Sequence, residues 1–270
     1  NAHPELKKLF NEAVDNSWSP QRFVSALRDT KWFQNTASTT RQYLVNQATD
    51  PASWQQDVDR MTAHVRDTYG SLFGVQLSKK QAERWAKQAM MFGYTDEQIK
   101  DQLVGSVNVR KLYRQKALGG TAGQLKDQIG QLAGRYGVQV GQKWRANQLE
   151  KILAGDNTID GVAGYIKELA KSKYTAFADE LDSGKTMEDI ADPYVQSMAT
   201  LLELNPNELD LRNGKVQRAL TRRIDGKPDP MSMSQFEDFV RKDPRWMKTD
   251  QANEQFSSAA YGLLSNFGMI

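Results

Sequence analysis

Residues 58–77 read VDRMTAHVRDTYGSLFGVQL, with apolar side chains at Val58, Met61, Val65 and Tyr69 before the chain reaches Gly74-Val75-Gln76-Leu77. Spacing by threes and fours lines one face of a helix, and the tetrad reads as a short link after it. The closing tetrad returns as Gly137-Val138-Gln139-Val140. At the same offset Thr95 matches Thr158, Ile99 matches Val162 and Leu103 matches Ile166. Agreement at several points under one spacing is the mark of an internal repeat. Each copy reads as a short link, a helix, a threonine-capped turn and a second helix, so the unit is an αα-hairpin used twice.

A second repeat joins the two ends of the chain. Phe23, Arg28, Trp32, Thr36, Gln42 and Tyr43 reappear as Phe236, Arg241, Trp246, Thr249, Gln255 and Phe256, with one residue inserted around Pro244. Ser19 and Ser234 are the expected start signals of the two copies. The unit reads as helix, tight link carrying a buried tryptophan, then helix. The fold class is therefore all-α, a multi-helix array of duplicated hairpins in A-B-B-A order, either a compact bundle or a short superhelical stack.

Helices are predicted over about 4–15, 20–29, 38–48, 51–70, 78–92, 95–117, 121–136, 142–154, 158–182, 186–203, 206–224, 232–242 and 250–267. Asp50-Pro51, Asn205-Pro206 and Ser19-Pro20 each place a capping side chain before a proline at the first helical position. The links at Leu118–Thr121 and Asp225–Met231, rich in glycine and proline, divide the chain in this reading. A helical half covers 1–118, with an outer unit at 19–50 and an inner unit at 74–117. A second half covers 119–225, with an inner unit at 137–182 and further helices to 224. The C-terminal outer unit covers 226–270.

Composition narrows the function. The chain has 36 basic and 33 acidic residues, a net charge of +3, and 39% hydrophobic residues. That is enough apolar material for a core and too little positive bias for a protein whose main task is neutralising phosphates. Zero cysteines exclude a disulfide framework and thiolate metal sites, and fit assembly in a reducing cytoplasm. No run approaches the roughly 18–20 apolar residues that cross a bilayer, and no export signal is visible, so no membrane span is expected. Asn1-Ala2, without a methionine, reads as an expression scar on a fragment of a longer protein.

The motifs that would carry chemistry fail on inspection. Gly184-Lys185-Thr186 resembles the end of a phosphate loop, but Asp179 stands where the loop needs its first glycine. Asp156, Thr158, Asp160 and Gly161 imitate the start of a calcium loop, but Lys167 occupies the place of its bidentate glutamate. His3 and His64 are the only histidines, which excludes a His-rich zinc site, and His64 reads as a partly exposed helix residue. Glu83, Asp96 and Glu97 bracket a hairpin, where acids are expected on solvated faces and in first turns. Two carboxylates suffice for glycosidase chemistry, so a peptidoglycan-degrading enzyme stays open as an alternative. No catalytic, cofactor-binding or metal-binding residue is assigned, and no small-molecule ligand is expected.

Two basic clusters and two tryptophans are the candidate contact residues. Lys215, Arg218 and Arg222 fall at helical spacing on one face, with Arg223 and Lys227 near, and would suit phosphates or a partner. Arg110, Lys111, Arg114 and Lys116 form a second cluster. Either could equally be a solvated helix face. Trp32 and Trp246, matched across the outer repeat, are expected core anchors whose indole N–H meets a link carbonyl. Trp18 and Trp54, unmatched, are the interface candidates.

The segment from Trp18 to Asp50-Pro51, with Phe23, Leu27-Arg28, Thr30, Trp32 and Arg41-Gln42-Tyr43, resembles the opening of helical modules in large virion proteins of tailed phages infecting actinobacteria. Asp192-Pro193-Tyr194, Leu202-Glu203-Leu204-Asn205-Pro206, Pro230-Met231-Ser232-Met233-Ser234 and Asp243-Pro244-Arg245-Trp246 resemble their close. The resemblance implies a structural module of a tail or internal ejection protein. Such a module resides in the virion and, during assembly, in the host cytoplasm. Its expected partners are other virion proteins, with DNA at most a weak partner. The matching residues pack and cap helices, so no catalytic role is carried over.

Overall fold

The computed structural model describes residues 3–266; Asn1, Ala2 and the last four positions of the C-terminal unit lie outside the described residues. The fold is all-α. It is 75% helical, with sixteen α-helices among the described residues and one two-stranded sheet. The chain divides into two compact units, residues 1–124 and 125–270. No helix among the described residues is long and apolar enough to cross a membrane.

The first unit holds α1 (Pro4–Asp15), α2 (Pro20–Arg28), α3 (Lys31–Asn35), α4 (Ser38–Thr49), α5 (Pro51–Phe73), α6 (Lys79–Phe92), α7 (Asp96–Ser106) and α8 (Val109–Arg114). Its helices begin where side chains accept the free N–H groups of a first turn. Ser19 accepts from Arg22, Asp50 from Ser53, and Ser78 and Thr95 form reciprocal capping boxes with Gln81 and Gln98. Val65 on α5, Ala82, Ala86 and Ala89 on α6, and Ile99 and Leu103 on α7 close one core. The small alanines bring α6 close to its neighbours, while Met61, Tyr69 and Trp85 form the rim of this core.

The division between units falls inside α9 (Gly120–Arg135). The second unit continues with α10 (Gln142–Leu153), α11 (Ile159–Lys173), α12 (Ala178–Asp182), α13 (Met187–Leu202), α14 (Gly214–Leu220), α15 (Met233–Arg241) and α16 (Asp250–Asn266). Its core joins Tyr174, Met187, Met198, Leu220, Phe236 and Val240, all buried. A polar chain crosses that core. The Tyr174 hydroxyl donates to the Gly137 carbonyl (2.9 Å) and accepts from the Gln217 amide (2.8 Å), which also donates to the Leu211 carbonyl (2.6 Å). The Tyr174 hydroxyl and the Gln217 amide thus find partners inside the core.

Local structure runs in step over the inner segments. Gly74 and Gly137 end their helices at φ 69° and 63°, α6 and α10 follow, and Thr95 and Thr158 cap α7 and α11. Ile99, Leu103, Val162 and Ile166 are all buried. The outer segments agree over α2 and α15 and then diverge. α3 is a five-residue helix, whereas Trp246–Lys248 is a single 3-10 turn. The serine that caps α15 is Ser232, accepting from Gln235, and not Ser234, which lies inside the helix. The residue gained at Pro244 is lost again before Thr249, because Phe23 to Thr36 and Phe236 to Thr249 are equal intervals.

Other sequence expectations are corrected. The predicted 95–117 helix breaks at Val107-Asn108, where the Asn108 side chain caps α8 by accepting from Lys111. The predicted 158–182 helix breaks at Tyr174, whose ring turns into the core. Asn205-Pro206 opens only a 3-10 turn, and α14 starts later because Asp210 and Asn213 bond to nearby backbone N–H groups, stabilising turns instead of helix. The expected linker at 225–231 is a hairpin of β1 (Arg223–Ile224) and β2 (Lys227–Pro228), turned by Asp225 and Gly226 at φ 50° and 77°. Positive φ at both central residues is the turn type that matches strand twist. Its far end is fastened by the Met231 N–H, which donates to the Ala219 carbonyl at 3.0 Å.

Candidate functional site

The Lys215–Arg223 cluster does not form one free stripe. Lys215 Nζ lies 3.3 Å from Asp243 and 4.8 Å from the centre of the Phe239 ring. Arg222 donates to the Asp229 carbonyl (2.7 Å) and carboxylate and to Gln235, clamping the hairpin base. Arg223 donates to the Gly226 carbonyl, and Arg218 is exposed with its guanidinium over Phe239. Lys215 and Arg222 thus serve as internal ties of the fold, leaving Arg218 and Arg223 facing outward.

Asp243 is the focus of that cluster. It is only 7% exposed yet lies near the surface, covered by its own charged partners: it accepts from the Arg245 guanidinium (2.9 and 3.1 Å) and backbone N–H (2.9 Å), and from Lys215. The Arg245 hydrogen bonds hold its carboxyl far below the usual range, against the opposing effect of burial. A depressed carboxyl stabilises the fold fully above its unfolded value of about 3.9, and the gain disappears as pH falls through the folded value. Asp243→Asn is expected to cost about 1–3 kcal/mol near neutral pH. Urea unfolding should show the gap between variant and wild type shrinking below pH of about 4; a gap independent of pH would contradict the assignment.

The tryptophans separate differently from expectation. Trp246 is buried, but its indole N–H meets no acceptor among the described residues, so the expected bond to a link carbonyl is not made. Trp32 is half-buried beneath His3, with ring centres 5.8 Å apart. Trp54 packs edge-on to Tyr43 with Lys87 near its face, a seat among α4, α5 and α6. Trp18 is half-buried, with Arg22 over its ring at 4.4 Å.

The motifs dismissed for chemistry take part in helix ends. Thr158 caps α11, and Thr186 caps α13 through a box with Asp189. His64 Nε2 stands 3.1 Å from Asp96, an ion pair only when the imidazole is protonated. Both border a wide groove of about 540 Å³ with Asp57, whose carboxylate is taken by Arg60. Glu83 is held by Lys87 at 2.6 Å.

Two further grooves of about 420 Å³ each contrast in charge. One, in the second unit, mixes signs: Arg135 faces Glu188 at 3.6 Å and Arg212 is bound to Asp210. The other, in the first unit, is walled by Tyr69, Trp85, Arg84 and Lys111, with no carboxylate in its lining. Its residues come from α5, the α5–α6 link, α6, the end of α7, the α7–α8 link, α8 and the residue after it.

No family model, curated protein or solved structure matches this chain.

Of ten large apolar side chains left in solvent among the described residues, seven lie toward the two ends of the chain, and Phe92, Tyr165 and Ile224 lie between. Phe10, Val14, Val24 and Val45 in α1, α2 and α4, and Met247, Phe256 and Tyr261 near the C-terminus, are each at least 43% exposed. Phe10 and Val14 lie one turn apart on the same face of α1, a helix with no buried residue. These positions carry no sequence signal of exposure, because phenylalanine and valine at helical spacing read as core. Tyr43 and Phe256 occupy matching places in the outer repeat, yet Tyr43 is buried against Trp54 and Phe256 is 53% exposed.

Proposed function

We propose that the chain is a non-catalytic interaction module of a phage tail or internal virion protein, acting through protein contacts in assembly or genome delivery. The observation that carries this reading is the number of large apolar side chains left in solvent toward the two ends of the chain, which a covering partner would take out of water. The virion location rests on the resemblance of the outer helices and of the Asp243-Pro244-Arg245-Trp246 link.

The enzymatic alternative would place a carboxylate pair in the groove bordered by Asp57 and Asp96. Both carboxylates there face a basic side chain, Arg60 or His64, an arrangement that suits structural pairing. The DNA-binding alternative on Lys215–Arg223 loses support because Lys215 and Arg222 are tied within the fold. Zymography on actinobacterial cell wall is expected to show no clearing. Clearing that disappears in Asp57→Asn or Asp96→Asn would overturn the reading in favour of peptidoglycan cleavage.

A further inference from the structure

We infer that the first unit's carboxylate-free groove binds single-stranded nucleic acid, with phosphate oxygens against Arg84 and Lys111 and a base against Trp85. This surface is separate from the apolar outer faces, and its test does not depend on them.

The lining offers donors to its occupant. Arg84 and Lys111 are exposed cations. Gln81 and Asn108 spend their carboxamide oxygens inside the fold: Gln81 Oε1 accepts from the Ser78 N–H and hydroxyl, and Asn108 Oδ1 accepts from the Lys111 N–H. Their NH₂ groups take no part in those bonds. Two cations with no carboxylate beside them in the lining favour a ligand with negative charge.

The rings narrow the choice. Tyr69 and Trp85 are half-buried, rooted on the rim of the core formed by Val65, Ala86 and Leu103, so they meet an occupant without first being ordered. An acidic peptide would satisfy the cations but gain little from flat aromatic faces. A duplex keeps its bases stacked inward, whereas an unpaired strand supplies both phosphate and an exposed base.

Charge distribution points to the same place. Residues 1–124 carry 17 Lys and Arg against 12 Asp and Glu, while residues 125–270 carry 19 against 21. Lys79 and Lys80 open the groove helix, and Arg114 and Lys116 follow Lys111 in the chain, all on exposed positions. The modest net charge of the whole chain thus conceals a surplus of five positive charges in the unit that holds the groove.

Fluorescence polarisation with a labelled oligothymidylate of about ten nucleotides tests this on the full chain. Binding is expected at low salt, weakening with a log–log slope of about −1.4 or steeper if at least two phosphates are met. Arg84→Glu with Lys111→Glu should weaken it at least about tenfold, and Trp85→Leu about five- to a hundredfold, by loss of stacking. Arg218→Glu with Arg223→Glu should leave it unchanged. Should Trp85→Leu fail to fold, the exposed Arg84 and Lys111 pair decides. Unchanged binding by that pair with its helical signal intact would overturn the proposal. So would an oligoglutamate that competes as well as the oligonucleotide, which would assign the groove to acidic peptide.

Discussion

Phe236→Ala is expected to destabilise the protein by about 3–5 kcal/mol, a large part of the 5–15 kcal/mol that typically holds a domain folded. Phe236 has no exposed surface, and its ring meets Tyr194 edge-on with centres 5.2 Å apart. Tyr194 cannot readily follow into the space, because its hydroxyl donates to the Met231 carbonyl at 2.6 Å. Val240 on the same helix and Met198 on α13 are likewise fully buried, so the truncation leaves a cavity among well-packed neighbours. Phe256→Ala provides the contrast: at 53% exposure it should change urea stability by less than about 1 kcal/mol. Equal losses at the two positions would mean that the core is misplaced.

Gly120→Ala should cost about 2–5 kcal/mol through backbone crowding and strain together. The end of α5 and the start of α9 approach so closely that the Gly119 N–H donates to the Phe73 carbonyl at 2.8 Å. Gly120 sits at φ 52°, and a Cβ there would fall 2.1 Å from the Ser71 carbonyl oxygen; one on Gly74 would fall 2.4 Å from Gly119 Cα. Neither obstacle is a side chain that could swing aside. Gly155 has a similar positive φ, 81°, but open space around it, so Gly155→Ala should show strain alone, roughly 1 kcal/mol. Thermal melts of the two variants would separate crowding from strain. A smaller loss at Gly120 than at Gly155 would contradict the close approach.

Helices and many of their starts were legible because a cap and its apolar stripe are local: Ser19, Asp50, Thr95 and Thr158 all announce a helix within a few residues. α3 was missed because part of its N-terminal cap comes from afar. The Glu5 carboxylate accepts from the N–H groups of Lys31 and Trp32, alongside the local Thr30 cap. Glu203 does the same for Asp250 and Gln251 at α16. The hairpin signal was present in Asp225-Gly226, but strands of two residues are too short to alternate, and Pro228 and Pro230 suggested a linker. The groove was illegible as a site because Tyr69, Trp85 and Lys111 belong to three different helices. Basic residues from Lys79 to Lys116 were visible, yet nothing local showed that aromatic rings would stand between them. Exposure of Phe10, Val14 and Phe256 was hidden for the opposite reason: helical spacing states which face is apolar and not what covers it.

We propose that other virion proteins cover the apolar side chains exposed toward the two ends of the chain. A photo-reactive amino acid placed at Phe10 or Phe256 in assembled phage particles, followed by irradiation and peptide mass spectrometry, tests it most directly. The expected result is a covalent link from each position to another virion protein, absent when the reactive group is placed at Asp29 on the exposed end of α2. Particles that lack the chain, or in which Phe10 and Phe256 yield no link above the Asp29 control, would contradict the claim.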